Sequence, residues 1–199
     1  RADPSLYILN DPIRGFILVY VDDLILAAKD QETMDYLKQQ LMARFPMTDM
    51  GELTNYLGIE ITRNLATKTI TLSQEAYIQA MLREYQMEDC TPVTTPLPKE
   101  HILSDPAVPG TTASPDEYPR IVGSLMYLMV GTRPDLAYPM SQLSRHLAAG
   151  RATQEHLDLA RRVLRYVKGT MSRTLVLGGV SLPVLTGWSD ASWADDHTD

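Results

Sequence analysis

The sequence is poor in cysteine and has no long hydrophobic run. Its single cysteine, Cys90, excludes an internal disulfide framework and a zinc site built from several cysteines, and is typical of a reducing compartment. No apolar segment approaches the roughly 20 residues that cross a bilayer, and the N-terminus lacks the basic and apolar segments of a signal peptide. We therefore expect a soluble, intracellular protein without a membrane partner.

Positive charge is also in the minority. The 199 residues include 18 Lys and Arg against 25 Asp and Glu, which gives a net charge of -7. This balance excludes a chain that binds nucleic acid through its overall charge. Residues 133–173 differ from the rest, because they carry eight basic and only three acidic residues. The sequence is therefore compatible with a local basic face in this region.

What the sequence does have is an ordinary globular composition, 44% hydrophobic and 22% charged, together with patterns that predict an α+β fold. Apolar residues at helical spacing predict helices at 31–44, from 73 to about 86, as a pair within 121–146, and from 153 or 154 to 169. Apolar and β-branched runs predict paired strands at 16–20 with 24–28, 57–62 with 69–72, and 174–177 with 182–188. Seven prolines within residues 91–119 predict a surface linker.

Two adjacent carboxylates, Asp22 and Asp23, lie between the strands of the first predicted hairpin. Rigidly held oxygen ligands that solvent can reach suit a divalent cation such as Mg²⁺ in phosphoryl transfer. Aspartate is also a favoured turn residue, so the pair taken alone is compatible with a simple turn. The flanking segments favour the metal-binding interpretation.

Segments from about residue 16 to 195 occur in the order found in one family. Residues 16–26 (FILVYVDDLIL) resemble the Tyr-x-Asp-Asp hairpin of reverse transcriptases. Residues 45–53 and 56–61 are similar to the palm segment and primer-grip hairpin of copia-type LTR retrotransposon polymerases. Similar segments of the same Pol polyproteins, in the connection and at the start of RNase H, correspond to residues 118–128, 132–136, 162–170 and 187–193.

The resemblance implies partial polymerase palm hairpins, a helical thumb and connection, and the first strands of an RNase H-like domain. The implied domains are the end of the palm with the primer grip at 1–72, a thumb helix at 73–90, a Pro-rich linker at 91–119, a helical connection at 120–173 and a truncated RNase H at 174–199. The fingers and the upstream palm strand with the other metal-binding Asp are absent. Because the chain opens at Arg1 without Met, we expect a piece of a longer protein.

The resemblance also implies roles for single residues. Asp22 would bind the catalytic Mg²⁺ (or Mn²⁺), Asp23 would act mainly through local electrostatics, and Asp190 would be the first metal-binding carboxylate of RNase H. Tyr20 would lie beside the primer terminus, and the primer grip would consist of Leu57, Gly58 and Ile59. A basic row on one face of the last predicted helix would contact phosphates of the template-primer duplex and consists of Arg161, Arg165 and Lys168.

Several of these residues have simpler interpretations. Gly58 is equally compatible with a bend in a hairpin, Asp190 with the end of a strand, and the basic row with a solvated helix face. The chain also departs from the family pattern, since Thr48 stands where a Lys is often found. Ser192 and Asp195 stand where the second Asp and the Gly commonly follow Asp190.

The sequence therefore predicts a fragment of an RNA-directed DNA polymerase with the beginning of its RNase H. In the intact polyprotein it would act by Mg-dependent nucleotidyl transfer on dNTP and an RNA or DNA template-primer duplex, in a cytoplasmic particle and the nucleus. We expect the fragment alone to be inactive, because one hairpin lacks the further carboxylate that two cations need. One alternative is a non-catalytic remnant that binds nucleic acid or protein, and another is a structural domain with chance motifs.

Overall fold

The structure is a computed structural model that describes residues 3–10, 14–98, 114, 116–148, 152–179 and 187. Within these ranges it contains two antiparallel sheets and five α-helices, which confirms the expected mixture of helices and antiparallel strands. The chain divides into two compact units, Arg1–Leu53 and Thr54–Asp199. No helix in the described ranges is long and apolar enough to cross a membrane.

The first unit is a three-stranded antiparallel sheet with one helix. Its elements are β1 (Leu6–Leu9), β2 (Gly15–Tyr20), β3 (Asp23–Ala28) and α1 (Gln31–Met42), and the strand order is β1-β2-β3. The β2–β3 hairpin and α1 confirm the elements predicted at 16–28 and 31–44. No sequence pattern predicts β1, whose four residues are too few to show a clear alternation.

Local interactions start α1 and hold it on the sheet. The Asp30 side chain accepts a hydrogen bond from the Thr33 backbone N–H at 2.9 Å, which caps the helix, and hydrogen bonding by Thr33 lowers the pKa of Asp30. Leu37 is buried and lies over Gly15 of β2. A Cβ at Gly15 would lie 2.9 Å from the Ala27 carbonyl oxygen of β3, so glycine permits the close approach of β2 and β3 beneath Leu37.

The second unit contains a four-stranded antiparallel sheet. Its strands, in spatial order, are β4 (Asn55–Tyr56), β5 (Ile59–Asn64), β6 (Thr69–Ser73) and β7 (Leu175–Gly178). The β5–β6 pairing confirms the second predicted hairpin, but its predicted start at residue 57 is wrong, because residues 57 and 58 connect β4 to β5. β7 pairs with β6, with Leu175 opposite Leu72. The strand predicted at 182–188 lies almost entirely outside the described residues.

Helices form the core of the second unit. They are α2 (Glu75–Glu84), α3 (Glu117–Gly131), α4 (Ala137–Ser144) and α5 (Gln154–Gly169), with a 3-10 turn at Pro134–Leu136 ahead of α4. The predicted apolar stripe of α5 is confirmed, because all four of its residues are buried: Leu157, Ala160, Leu164 and Val167. α3 begins inside the predicted linker, and Pro119 lies in its first turn, where a missing N–H costs little.

Candidate functional site

The tip of the β2–β3 hairpin carries the predicted catalytic residues. The two strands pair as far as Tyr20 opposite Asp23, which leaves Val21 and Asp22 as a two-residue turn. Val21 has a φ of 52°, in the left-handed region. Such turns favour positive φ, which glycine, asparagine or aspartate usually supplies. A β-branched residue in this conformation is strained by about 1–2 kcal/mol, so the tip stores conformational strain.

The two carboxylates at this tip are exposed. Both Asp22 and Asp23 are exposed residues. Tyr20 and Val21, which precede them, are 51% and 82% exposed. Exposed oxygen donors at the end of a hairpin fit a hard divalent cation. In the part of the chain that the structure describes, no group of three or more His, Cys, Asp or Glu could hold a metal ion. A cation-binding role for these two carboxylates stays a prediction.

The predicted primer-grip residues form a second strained turn. Tyr56 pairs with Ile59, so the turn residues are Leu57 and Gly58, with φ of 49° and 75°. Positive φ at both positions is the type I′ arrangement. Gly58 adopts it freely, whereas Leu57 is strained. The backbone therefore shows a bend at Gly58, and its role toward a primer stays a prediction.

The three cations of the predicted basic row have partners within the chain. The bonds run from Arg161 to Glu117 Oε1 (2.6 Å), from Arg165 to the Thr91 carbonyl (2.6 Å) and from Lys168 to the Cys90 carbonyl (2.7 Å). Lys168 also donates to the Glu88 carbonyl. These contacts attach α5 to the start of α3 and to the segment that follows α2. Contact with phosphates stays a prediction.

Comparison with known proteins gives the family. Residues 6–99 match the model described as reverse transcriptase (RNA-dependent DNA polymerase). The chain is 37% identical over 202 residues to the Pol polyprotein from transposon TNT 1-94 of Nicotiana tabacum, covering 98% of the chain and 15% of that protein. It is also 37% identical over 203 residues to the Pol polyprotein from transposon RE1 of Arabidopsis thaliana, covering 100% of the chain and 13% of that protein.

The chain belongs to the copia-type retrotransposon Pol polyprotein family. It spans less than a sixth of the length of the two Pol polyproteins. An uncharacterized mitochondrial protein of Arabidopsis thaliana is 34% identical over 179 residues, covering 90% of the chain and 72% of that protein. No solved structure matches.

A buried ion pair in this Pol segment lies where the sequence predicts a helix start. Arg133 is 1% exposed and donates to both Asp135 oxygens, at 2.9 and 2.8 Å, and to the Thr170 carbonyl and hydroxyl at 3.1 and 2.7 Å. The Tyr166 hydroxyl donates to Asp135 at 2.8 Å. Burial by itself raises the pKa of Asp135, but hydrogen bonds from Arg133 and Tyr166 outweigh it and keep that pKa below its ordinary value.

One predicted site residue lies outside the described residues, and one contact that the sequence does not predict lies within them. Asp190 lies outside the described residues, so its RNase H role stays a prediction. Tyr127 is not singled out by the sequence, yet its hydroxyl donates to the Leu57 carbonyl in the β4–β5 turn. The available signal is a tyrosine within an apolar helix, whose hydroxyl needs a partner. That signal does not say which partner.

Proposed function

We propose that this chain supplies the end of a reverse transcriptase palm and takes part in templated nucleotidyl transfer in the intact Pol polyprotein. The observation that carries the proposal is the exposed Asp22–Asp23 pair on a strained hairpin turn. In this reaction the primer 3′ hydroxyl attacks the α-phosphate of a dNTP and pyrophosphate leaves. Negative charge builds up on the reacting phosphate and has to be stabilised.

In this proposal Asp22 holds Mg²⁺ (or Mn²⁺) through its carboxylate, and Asp23 adds negative potential beside it. The donor type and the exposure of both side chains fit a hard cation. A bound cation would neutralise charge on the reacting phosphate. Within the described ranges, β3 has β2 on one side and no strand on the other. A further strand at that edge would bring another carboxylate toward Asp22.

The other residues have nucleic-acid roles in the same proposal. Tyr20, half exposed beside the carboxylates, contacts the primer terminus, and the primer-grip residues 57–59 support the primer backbone. The thumb at 73–90, the connection at 120–173 and an RNase H that starts at 174 complete the assignment. Its partners are the RNA/DNA template-primer duplex, dNTP and the remainder of the polyprotein.

Primer extension on a homopolymeric template with Mg²⁺ tests the proposal in the intact polyprotein. We expect Asp22→Asn to reduce incorporation by at least about 100-fold, because it removes a charge aimed at the reaction centre. Glu32→Gln, at an exposed position of α1, is the matched control and should stay within about twofold of the parent. More than a tenth of parental activity in Asp22→Asn would contradict the proposal.

The 199-residue chain alone should show no incorporation in the same assay. The reason is that two carboxylates on one turn bind Mg²⁺ weakly, since this ion keeps most of its waters. Clear incorporation by the chain alone would show that no further carboxylate is needed.

A second candidate function is a non-catalytic remnant that binds nucleic acid or protein. The mitochondrial relative favours it, because the chain covers 72% of that protein and the segment thus occurs there with little additional sequence. Sequencing the reading frame on both sides separates the two candidates. An upstream strand with an Asp and downstream RNase H carboxylates would support the polymerase, whereas nearby stop codons would support the remnant.

A further inference from the structure

The β4–β5 turn belongs to a short hairpin that needs support from elsewhere. β4 has only two residues, and its ladder consists of the pairs Asn55 with Glu60 and Tyr56 with Ile59. The Ile61 N–H adds one bond to the Thr54 carbonyl at 2.8 Å. Leu57, at the tip, is in the left-handed region. Because a short ladder fixes a strained tip poorly, the position of the turn depends on contacts that the tip itself makes.

Tyr127 of α3 makes such a contact. Its hydroxyl donates to the Leu57 carbonyl from 70 positions further along the chain. A Cβ at Gly58 would lie 3.6 Å from the Tyr127 hydroxyl oxygen, so this oxygen lies close to both turn residues. The side chain is 40% exposed. The bond therefore holds the turn at the surface, where a ligand could reach it.

Tyr127 is itself held by an aromatic cluster between α2 and α3. Its ring meets that of Tyr77 edge to face, with centroids 5.0 Å apart and planes at 69°. The Tyr77 hydroxyl donates to the Ser124 carbonyl at 3.1 Å, which fixes the ring against which Tyr127 packs. The Tyr85 hydroxyl makes a separate contact of the same cluster, 2.9 Å from Ser124 Oγ. The hydroxyl that bonds the turn is thus carried by a ring whose orientation is fixed.

We propose that Tyr127 is a positioning residue that holds the β4–β5 turn, and with it the primer-grip residues 57–59, in place for the primer. The inference rests on the proposed function, because the position of this turn matters to catalysis only if a primer lies on it. The structure gives the anchor, namely a fixed ring and one hydroxyl bonded to the turn backbone. A primer terminus displaced by a fraction of an ångström loses rate in the chemical step more than affinity for dNTP.

The test compares Tyr127→Phe with Tyr85→Phe. Each variant removes one hydroxyl from the same cluster and keeps the ring, and of the two hydroxyls it is that of Tyr127 that bonds the turn. Hydrogen exchange of the 199-residue chain is the first readout. We expect at least fivefold faster exchange across residues 54–61 in Tyr127→Phe and no change there in Tyr85→Phe. Unchanged exchange in Tyr127→Phe would overturn the proposal.

Steady-state primer extension by the intact polyprotein is the second readout. We expect Tyr127→Phe to lower kcat by about 5- to 20-fold with the KM for dNTP within about twofold of the parent, and Tyr85→Phe to change neither. Equal losses in both variants would indicate general packing and overturn the positioning role. Faster exchange with unchanged kinetics would also overturn it. Failure of the polymerase assignment is detected separately, by an active Asp22→Asn variant.

Discussion

Replacing Asp135 by asparagine should strongly destabilise the second unit. The Arg133 side chain is 2% exposed, and its donors are directed at Asp135 and Thr170. Asparagine keeps the shape of the partner but leaves a buried guanidinium without its counter-charge. Breaking a buried pair in this way costs about 3–5 kcal/mol. Because the Asp135 side chain is 32% exposed and water compensates in part, we expect a loss of about 2–4 kcal/mol.

Urea unfolding of the 199-residue chain measures this loss as a lower midpoint at unchanged slope. Glu84→Gln is the matched control, because it breaks a pair with Arg120 in which the side chains are 49% and 62% exposed. An exposed pair of this kind contributes less than about 1 kcal/mol. If Asp135→Asn lost no more stability than this control, the argument from burial would be refuted.

The pH dependence of the same variant gives an independent check. The folded-state pKa of Asp135 lies below its ordinary value. The ionised carboxylate therefore contributes its full stability above about pH 4, and this contribution is lost as the pH falls through the folded-state pKa. The difference in unfolding free energy between the parent and Asp135→Asn should shrink on acidification. A difference that stays constant down to about pH 2 would contradict the assignment.

Two further expectations concern the hairpin tip and α5. Val21→Gly relieves the strained φ of Val21, but glycine adds conformational entropy to the unfolded chain. We therefore expect thermal unfolding of the first unit to show equal stability or a gain of up to about 1 kcal/mol. A clear loss of stability would argue against strain at Val21. Replacing all three residues of the basic row by glutamine removes their hydrogen bonds within the chain. We expect the unfolding free energy of the second unit, measured in urea, to fall by about 1–3 kcal/mol. In the intact polyprotein the same triple change, at Arg161, Arg165 and Lys168, tests the predicted phosphate contacts. We expect weaker template-primer binding with a flatter salt slope, because three positive charges are lost, and an unchanged salt slope would contradict those contacts.

The sequence predicts those elements whose signal is local. The β2–β3 hairpin follows from two short apolar runs that flank a pair of turn residues, and α1 from apolar spacing behind Asp30, whose side chain caps it. The sequence does not predict β4, because two residues show no periodicity. The turn at Leu57, which follows β4, is missed for the same reason. The pairing of β7 with β6 joins segments about a hundred residues apart, and no local pattern encodes such a contact.

In the candidate site, too, the sequence predicts the local features but not the contacts between distant segments. The Asp22–Asp23 tip is a local feature, so the sequence places it correctly on a hairpin, and only the left-handed φ at Val21 comes from the structure. The bond from Tyr127 to the Leu57 carbonyl joins a helix to a turn 70 positions away. A tyrosine in an apolar helix predicts that its hydroxyl has a partner, but the identity of the partner depends on the packing of α2 against α3.

The basic row illustrates why charge spacing alone does not identify a ligand. Cations one helical turn apart form the same pattern whether their acceptors are phosphates or carbonyl groups of the chain. Residues 90–98 contain three prolines and form neither helix nor strand, so their carbonyl groups need donors from elsewhere. Arg165 and Lys168 supply two of them, at Thr91 and Cys90. The acceptors of Arg165 and Lys168 in the structure are therefore carbonyl groups of the chain, that of Arg161 is the Glu117 carboxylate, and contact of the three with phosphates stays a prediction.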